Sequence, residues 1–286
     1  MDKLHIFFLT DINEYFGVIA CISSIIKNTK NLEKINFHIL TYNLKEKLNF
    51  IVSKHEYLKY YSQYIEIFEL TSFQNKLDEL KELMAEHDKS YINNIANFSR
   101  FLIPLIYKNI AFGLYMDADM IVQDDIYNII DNIDINNFCL AAVPNYTFKK
   151  MELMQFEEPA FNAGIYLQNF DFFRKNKLYK EIKKLMYSHK FEKKWKLGTQ
   201  PILNIIYYKK VTFLDDKWNV VGLGEKNTPK LETIKNAIVL HWTGENKPWK
   251  LNGQFKDIWK KYNKIKIQIK ENPEKKYLIT SNNYHQ

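Results

Sequence analysis

The 286 residues can bury a substantial core, as one large domain or two small ones, and 46% hydrophobic against 26% charged residues is an ordinary globular balance. The formal net charge of +8 looks like a nucleic-acid signal until it is located: Lys247–Lys276 holds ten lysines against Asp257, Glu271 and Glu274, a surplus of +7, and the remainder is nearly neutral. A nucleic-acid-binding domain is therefore excluded, and the basic tail is left as a surface for an anionic partner.

Eight glycines and seven prolines are too few for long flexible linkers. The two cysteines, Cys21 and Cys139, lie in apolar segments without zinc-type spacing and read as buried small hydrophobes in a reducing compartment. The apolar run at the N-terminus reaches Asp11 too soon for a signal peptide, and no segment approaches the ~18 uncharged apolar residues of a membrane span. A cytoplasmic location is expected.

In chain order, Leu4–Thr10 is an apolar strand ending at Asp11, and Phe16–Ile26 recurs at helical spacing. A second strand over Ile35–Thr41 is followed by a helix over Lys45–His55. Tyr64–Leu70 alternates as a strand, and Leu77, Leu80 and Met84 mark an amphipathic helix. This alternation predicts βαβ units around a mainly parallel sheet. Asn97–Ile106 reads as a helix leading into a strand over Phe112–Val122. Beyond it come a strand over Phe138–Val143, a polar loop over Asn145–Pro159, a strand over Gly164–Gln168 and a long helix from Asp171 to Ser188. Gln200–Tyr208 is helical, and Ala237–Trp242 is a short buried strand. The expected organisation is one α/β domain over residues 1–250 and a basic extension over 251–286.

Asp117 and Asp119 stand in the apolar run Tyr115-Met-Asp-Ala-Asp-Met-Ile-Val122. An ionised carboxylate there is costly unless paired or bound to a cation. Ligands collect at the carboxyl ends of parallel strands, and three such ends carry polar residues: Asp11-Ile-Asn13, Asp117-Ala-Asp119 and His241. Strand alternation predicts that Asp117 and Asp119 share a face while Ala118 points away. Carboxylate and imidazole donors suit Mn²⁺ or Mg²⁺. After His241, the segment Trp-Thr-Gly-Glu-Asn-Lys-Pro-Trp249 supplies Gly244 for close backbone approach and Lys247 as a point cation for phosphate.

The combination of Leu114-Tyr-Met-Asp-Ala-Asp119, Phe161-Asn-Ala-Gly-Ile-Tyr-Leu167 and His241-x-x-Gly-x-x-Lys-Pro-Trp249 resembles glycosyltransferase family 8, over about Leu4 to Trp249. That family includes glycogenin and the retaining galactosyl- and glucosyltransferases of bacterial lipopolysaccharide. The resemblance implies a GT-A fold, a UDP-hexose donor carrying galactose or glucose, and Mn²⁺ held by Asp117, Asp119 and His241. It places the uridine at Asp11 and Asn13, with Ala118 among the donor contacts. It places Arg100 of Asn97-Phe-Ser-Arg100 near the donor sugar, Asn162 and Ala163 in the sugar pocket, and Gly244 and Lys247 on the diphosphate. Arg100 stands out because Arg174 is the only other arginine, and only the planar fork gives bidentate contacts. The pattern of many relatives, an acidic residue on each side of a glutamine, appears here as Thr199-Gln200-Pro201, which removes both carboxylates. Gln200, Asn162 and Arg100 are the expected catalytic group.

The acceptor implied is an oligosaccharide or glycolipid of a bacterial surface glycan. Phe255, Ile258, Trp259, Tyr262, Ile265 and Ile269 follow helical spacing among lysines. They predict a basic amphipathic helix, suited to an anionic membrane surface or docked on the domain. Two other readings compete. An aspartate-nucleophile phosphatase also uses Asp-x-Asp, but at the end of its first strand. A non-catalytic or hydrolytic UDP-sugar-binding protein could keep the same fold and cation site.

Overall fold

The computed structural model describes residues 3–85, 95–146, 159–188 and 198–263, with the backbone of 268–270 and 278–280. Its first half alternates strand and helix: β1 (Leu4–Thr10), α1 (Tyr15–Asn28), β2 (Ile35–Thr41), α2 (Lys45–Lys54), β3 (Ile65–Glu69) and α3 (Gln74–Ala85). β1 is buried along nearly its whole length because it serves two cores. Leu4, Ile6 and Phe8 pack with Val18 and Ile22 of α1 and with Leu48 and Ile51 of α2. Phe7 and Leu9 face the opposite layer, which contains Leu77 and Leu80 of α3. A strand covered by helices on both faces has this continuous apolar character.

The later strands are β4 (Phe112–Met116), β5 (Met120–Val122), β6 (Leu140–Asn145), β7 (Ala160–Asn169), β8 (Val211–Phe213) and β9 (Val239–His241). Seven of these nine strands, β1 to β3 included, form one sheet in the order β3-β2-β1-β4-β7-β6-β8. Its pairs are parallel except where β7 runs antiparallel between β4 and β6. That reversal has a positional consequence. Met116 at the end of β4 lies opposite Ile165, so the Asn162–Gly164 stretch of β7 arrives where the parallel strands finish.

Four expectations need correction. The segment Phe112–Val122 is two strands, not one: β4 belongs to the large sheet, whereas β5 pairs antiparallel with β9 in a second, two-stranded sheet. The Asp117-Ala118-Asp119 stretch is the crossing between them, so pleat alternation is not what aims its carboxylates. The long helix expected from Asp171 is two, Phe170–Lys175 and Leu178–Tyr187, separated at Lys177 with φ +54°. Asn97–Ile106 is a composite of α-helix (Ile95–Phe98), 3₁₀ turn (Ser99–Leu102) and α-helix (Ile103–Ile106). β6 starts at Leu140 instead of Phe138, which leaves Cys139 half-buried while Cys21 is fully enclosed. Most of the expected loop over Asn145–Pro159 lies outside the described residues.

The helix expected over Phe255–Ile269 is also shorter. Among the described residues of that stretch only Lys256–Lys260 is helical, and Gln268–Lys270 pairs antiparallel with Leu278–Thr280, so Ile269 is in a strand. Ile265 lies outside the described residues. Trp259 is buried against Ala20, Ile121 and Trp242, with Phe255, Ile258 and Tyr262 packed on the same cluster. Asn28 Nδ2 donates to the Tyr262 hydroxyl at 3.1 Å. The aromatic stripe of the tail's first turns thus packs on the domain, with Trp259 buried and its neighbours partly so.

α1 reaches the carboxylate segment through Gly17. A Cβ there would lie 2.5 Å from the Ala118 carbonyl oxygen and 3.2 Å from the Trp249 ring. Gly17→Ala sets a helix-propensity gain of up to ~1 kcal/mol against overpacking that costs about 1–3 kcal/mol. The obstacle is backbone, which cannot rotate away, so the clash wins. We expect a lower urea midpoint with an unchanged m-value; a raised midpoint would show that the helix is not pressed on Ala118.

Candidate active site

Three segments meet at the head of the sheet because of the strand directions just described. β1 delivers Asp11 and Asn13, β4 ends at Asp117, and β7 brings Asn162–Gly164 from the other side. The short sheet supplies the fourth, since Met120 pairs directly with His241 and Trp242 N–H donates to the Asp119 carbonyl at 2.9 Å. Asp117 N–H donates to the Gly164 carbonyl at 2.7 Å, which pins the crossing to β7.

Two adjoining clefts result. One, of about 450 Å³, is lined by Asp11, Asn13, Ala118, Asp117, Asp119 and Lys247 among others. The second, of about 220 Å³, shares Asp117, Asp119 and Lys247 and adds Arg100, Asn162, Ala163, Gln200, His241 and Gly244. Each residue expected to bind donor or cation therefore lines one cleft or both.

Asp117, Asp119 and His241 offer one ligand atom each, all within 4.8 Å of one another. His241 Nε2 lies 3.2 Å from Asp119 Oδ1 and 3.9 Å from Asp117 Oδ2. Two carboxylate oxygens and an imidazole are a donor set that Mn²⁺ or Mg²⁺ accepts. Burial works against the Asp119 carboxylate, yet the neighbouring His241 and Lys247 hold it well below the usual carboxylate range. Partial burial, then the charges of Asp119, Asp117 and Asp11, push the Glu14 carboxyl up to about 7. So much negative potential in one cleft favours a bound cation.

Arg100 does not project freely into the sugar region. Its guanidinium is buried and donates to the Ala163 carbonyl at 2.7 Å, the Asn97 carbonyl at 3.1 Å and Asp117 Oδ1 at 3.1 Å. It lies over the Tyr115 ring, whose hydroxyl donates to the same Asp117 oxygen at 2.8 Å. Arg100 holds the walls of the small cleft and one carboxylate in it. Lys247 likewise has partners, donating to Asp119 Oδ2 and, at 2.8 Å, to the Trp242 carbonyl. Asp11 accepts from the Asn13 backbone at 2.7 Å, which shapes the turn after β1.

Gly244 has φ +93°, and a Cβ on it would sit 2.6 Å from the Gly224 carbonyl oxygen. The close approach expected at Gly244 is thus made to a neighbouring loop. Thr243 joins the two loops further, its hydroxyl accepting from Gly222 N–H at 2.7 Å. Gly164 has as little room: a Cβ would lie 2.3 Å from His241 Cε1 and 2.9 Å from both Asn162 Oδ1 and Asp117 Oδ2.

Thr199 and Pro201, which stand where carboxylates were looked for, are structural. The Thr199 hydroxyl donates to Asn97 Oδ1 at 2.9 Å, and Pro201 opens the helix Gln200–Ile206. Gln200 Oε1 accepts from Ala163 N–H at 3.0 Å and from Asn162 Nδ2 at 3.3 Å.

Sequence reasoning missed several members. Glu14 and Asn97 line the larger cleft, and Tyr115 holds Asp117; all three lie within three residues of a motif position and were within reach. Asn219 was not. It contacts both His241 and Asn162 from a loop that carries no motif.

The family model described as glycosyl transferase family 8 matches residues 5–253. Glycosyltransferase 8 domain-containing protein 1 of Mus musculus is 25% identical over 283 residues, covering 86% of this chain and 73% of the mouse protein. A probable galacturonosyltransferase of Arabidopsis thaliana is 28% identical over 188 residues, which is 59% of this chain and 33% of the plant protein. Among solved structures, galactosyltransferase LgtC in complex with donor and acceptor sugar analogs superposes with a TM-score of 0.69 at 19% identity, covering 91% of this chain and 95% of LgtC. The bifunctional WbbM gives 0.70 at 19% identity over 92% of this chain, which spans half of that longer protein. Likeness at such identity shows a shared fold, here the GT-A fold of LgtC. Matched across all but its first four residues and the stretch from Gln254 onward, the chain belongs to glycosyl transferase family 8.

Proposed function

We propose that this glycosyltransferase moves a hexose from a UDP-sugar to a glycan acceptor, with retention of anomeric configuration and with a divalent cation held by Asp117, Asp119 and His241. The observation that carries this reading is the convergence of those three ligand atoms within 4.8 Å where the two clefts meet. The donor set fits Mn²⁺, with Mg²⁺ as the alternative. When bound, the ion would supply Lewis-acid stabilisation of a departing diphosphate. In this reading Asp11, Asn13 and Ala118 receive the nucleoside in the larger cleft, and Asn162, Ala163 and Gln200 orient the hexose in the smaller one. Arg100 acts by fixing Asp117 and the Ala163 carbonyl. Lys247 exchanges Asp119 for the diphosphate, while Gly244 shapes the loop that carries it.

A neutral hexose suits the cleft better than a uronate. Among the described lining residues, Lys247 and Arg100 are the cationic side chains, and both already have acidic partners. The galactosyltransferase LgtC is in line with this choice. An acceptor in a bacterial surface glycan, and work on the inner face of the cytoplasmic membrane, agree with the lysine-rich tail. With Trp259 buried and Tyr262 packed against the same cluster, charge is the main thing the tail's first turns offer an anionic surface. No helix among the described residues is long and apolar enough to cross a membrane.

Retention by double displacement needs a carboxylate nucleophile at the anomeric carbon. The carboxylates among the described residues of the smaller cleft are Asp117 and Asp119, both committed to the cation. Front-face transfer needs no such group. The acceptor oxygen bonds to the anomeric carbon as the carbon–oxygen bond to UDP breaks, and the hydroxyl proton passes to the departing diphosphate oxygen. Gln200, held by Ala163 N–H, supports the sugar without reacting.

Release of UDP from UDP-galactose or UDP-glucose should stop in chelator and return with Mn²⁺. Asp117→Ala, Asp119→Ala and His241→Ala should each lower turnover by at least ~100-fold, the scale of losing a principal electrostatic contribution. Undiminished activity in chelator would remove the cation from the reading. Release of UDP without transfer to any glycan would instead favour a hydrolytic sugar-binding protein.

The product should be α-linked by proton NMR, and Gln200→Ala should be slow with the same anomer. A β-linked product would overturn retention. A covalent glycosyl–protein adduct seen by mass spectrometry would overturn front-face transfer.

A further inference from the structure

Asn219 is buried at 4% exposure and holds two functional side chains at once. Its Oδ1 lies 3.0 Å from His241 Nδ1, and its Nδ2 lies 3.0 Å from Asn162 Oδ1. The direction of these bonds follows from backbone amides, which cannot reverse. Ala163 N–H donates to Gln200 at 3.0 Å, so the atom there is Oε1. Gly164 N–H donates to Asn162 at 3.0 Å, so that atom is Oδ1, and Asn162 Nδ2 is left to donate to Gln200 Oε1 at 3.3 Å. Only an N–H can meet Asn162 Oδ1 from the other side, so Asn219 presents Nδ2 to it and Oδ1 to the imidazole. His241 Nδ1 must then carry the hydrogen. In a neutral ring the lone pair is on Nε2, the nitrogen that faces Asp117 and Asp119.

The alternative tautomer has its own attraction. A hydrogen on Nε2 would be accepted by Asp119 Oδ1, 3.2 Å away, and would close the imidazole to a cation. The backbone keeps Asn219 in place against this. Its own N–H donates to the Asp216 carbonyl at 3.0 Å, and His241 N–H donates to the adjacent Val220 carbonyl at 2.9 Å. Gly164, against the ring edge, leaves the imidazole little space to tilt.

The geometry points to Asn219 as the positioning residue of this site. It fixes His241 in the Nδ1–H form that can ligate a cation, and it couples that ligand to Asn162 and Gln200 in the sugar pocket. The inference rests on the proposed cation site and adds what sets it. Partners that orient a ligating histidine are typically worth 10–100-fold in metal affinity.

The test uses calorimetric titration of the donor-free full chain with Mn²⁺ for wild type, Asn219→Leu and Asn219→Asp, with circular dichroism and melting to establish folding. Asn219→Leu removes both bonds and should weaken Mn²⁺ binding 10–100-fold. Asn219→Asp keeps an acceptor for Nδ1–H and should retain most of the affinity. Its carboxylate faces Asn162 Oδ1, however, so KM for the UDP-sugar should rise. In metal-free protein with ¹⁵N-labelled histidine, the neutral His241 ring should show a protonated Nδ1 in wild type and lose that single form in Asn219→Leu. Equal Mn²⁺ affinity for wild type and Asn219→Leu would overturn the positioning role alone. So would an Asn219→Asp variant that loses metal affinity as fully as Asn219→Leu. A wild type that binds no Mn²⁺ would overturn the cation site and this inference with it.

Discussion

Two carboxylates stand at the head of the sheet where protein replaces much of the water, and the surrounding architecture supplies their partners. Removing a charge from water costs several kcal/mol unless partners stand ready. Arg100 serves Asp117, Lys247 serves Asp119, and His241 lies beside both. These partners come from a 3₁₀ turn, a loop and a strand far apart in the chain, so the folded state must be complete before the cluster is. The pairing of Met120 with His241, the loop contact between Gly224 and Gly244, and the antiparallel insertion of β7 each put one partner in reach.

The order of elements in the first half was legible because β1 and β2 are largely apolar, β3 alternates, and amphipathic helices separate them. Periodicity sees that pattern directly. It failed where local backbone geometry breaks an otherwise uniform apolar text. Phe112–Val122 reads as one strand, but the chain changes sheets at Asp117–Asp119, and nothing in side-chain hydrophobicity announces a change of hydrogen-bonding partner. Lys177, at φ +54°, divides a helix for a similar reason: lysine is an uncommon choice for that conformation and gives no warning.

The candidate site was legible for residues that carry charge or belong to a motif, such as Asp117, His241 and Lys247. Their partners were less so. The sequence marks Arg100 as a rare arginine but cannot say that its fork is occupied by the Ala163 and Asn97 carbonyls. Asn219 is one asparagine among many, and only three-dimensional contact separates it from the rest. The tail illustrates the complementary error. Phe255, Ile258, Trp259 and Tyr262 do share a face, but spacing cannot tell whether that face meets lipid or the chain's own Trp242 and Ile121.

The crossing at Ala118 leaves one carboxylate on each of two sheets that share no ladder. Asp117 follows the last residue of β4 in the large sheet, and Asp119 precedes β5 in the small one. An ion held by both would act as a rivet through the seam, and His241, on the partner strand of β5, would hold the small sheet a second time. Ligand binding and cohesion of the two sheets are then the same event, so the free energy of loading adds to the stability of the whole molecule. The Ala118 carbonyl, seated on Gly17, makes α1 the plate beneath that rivet.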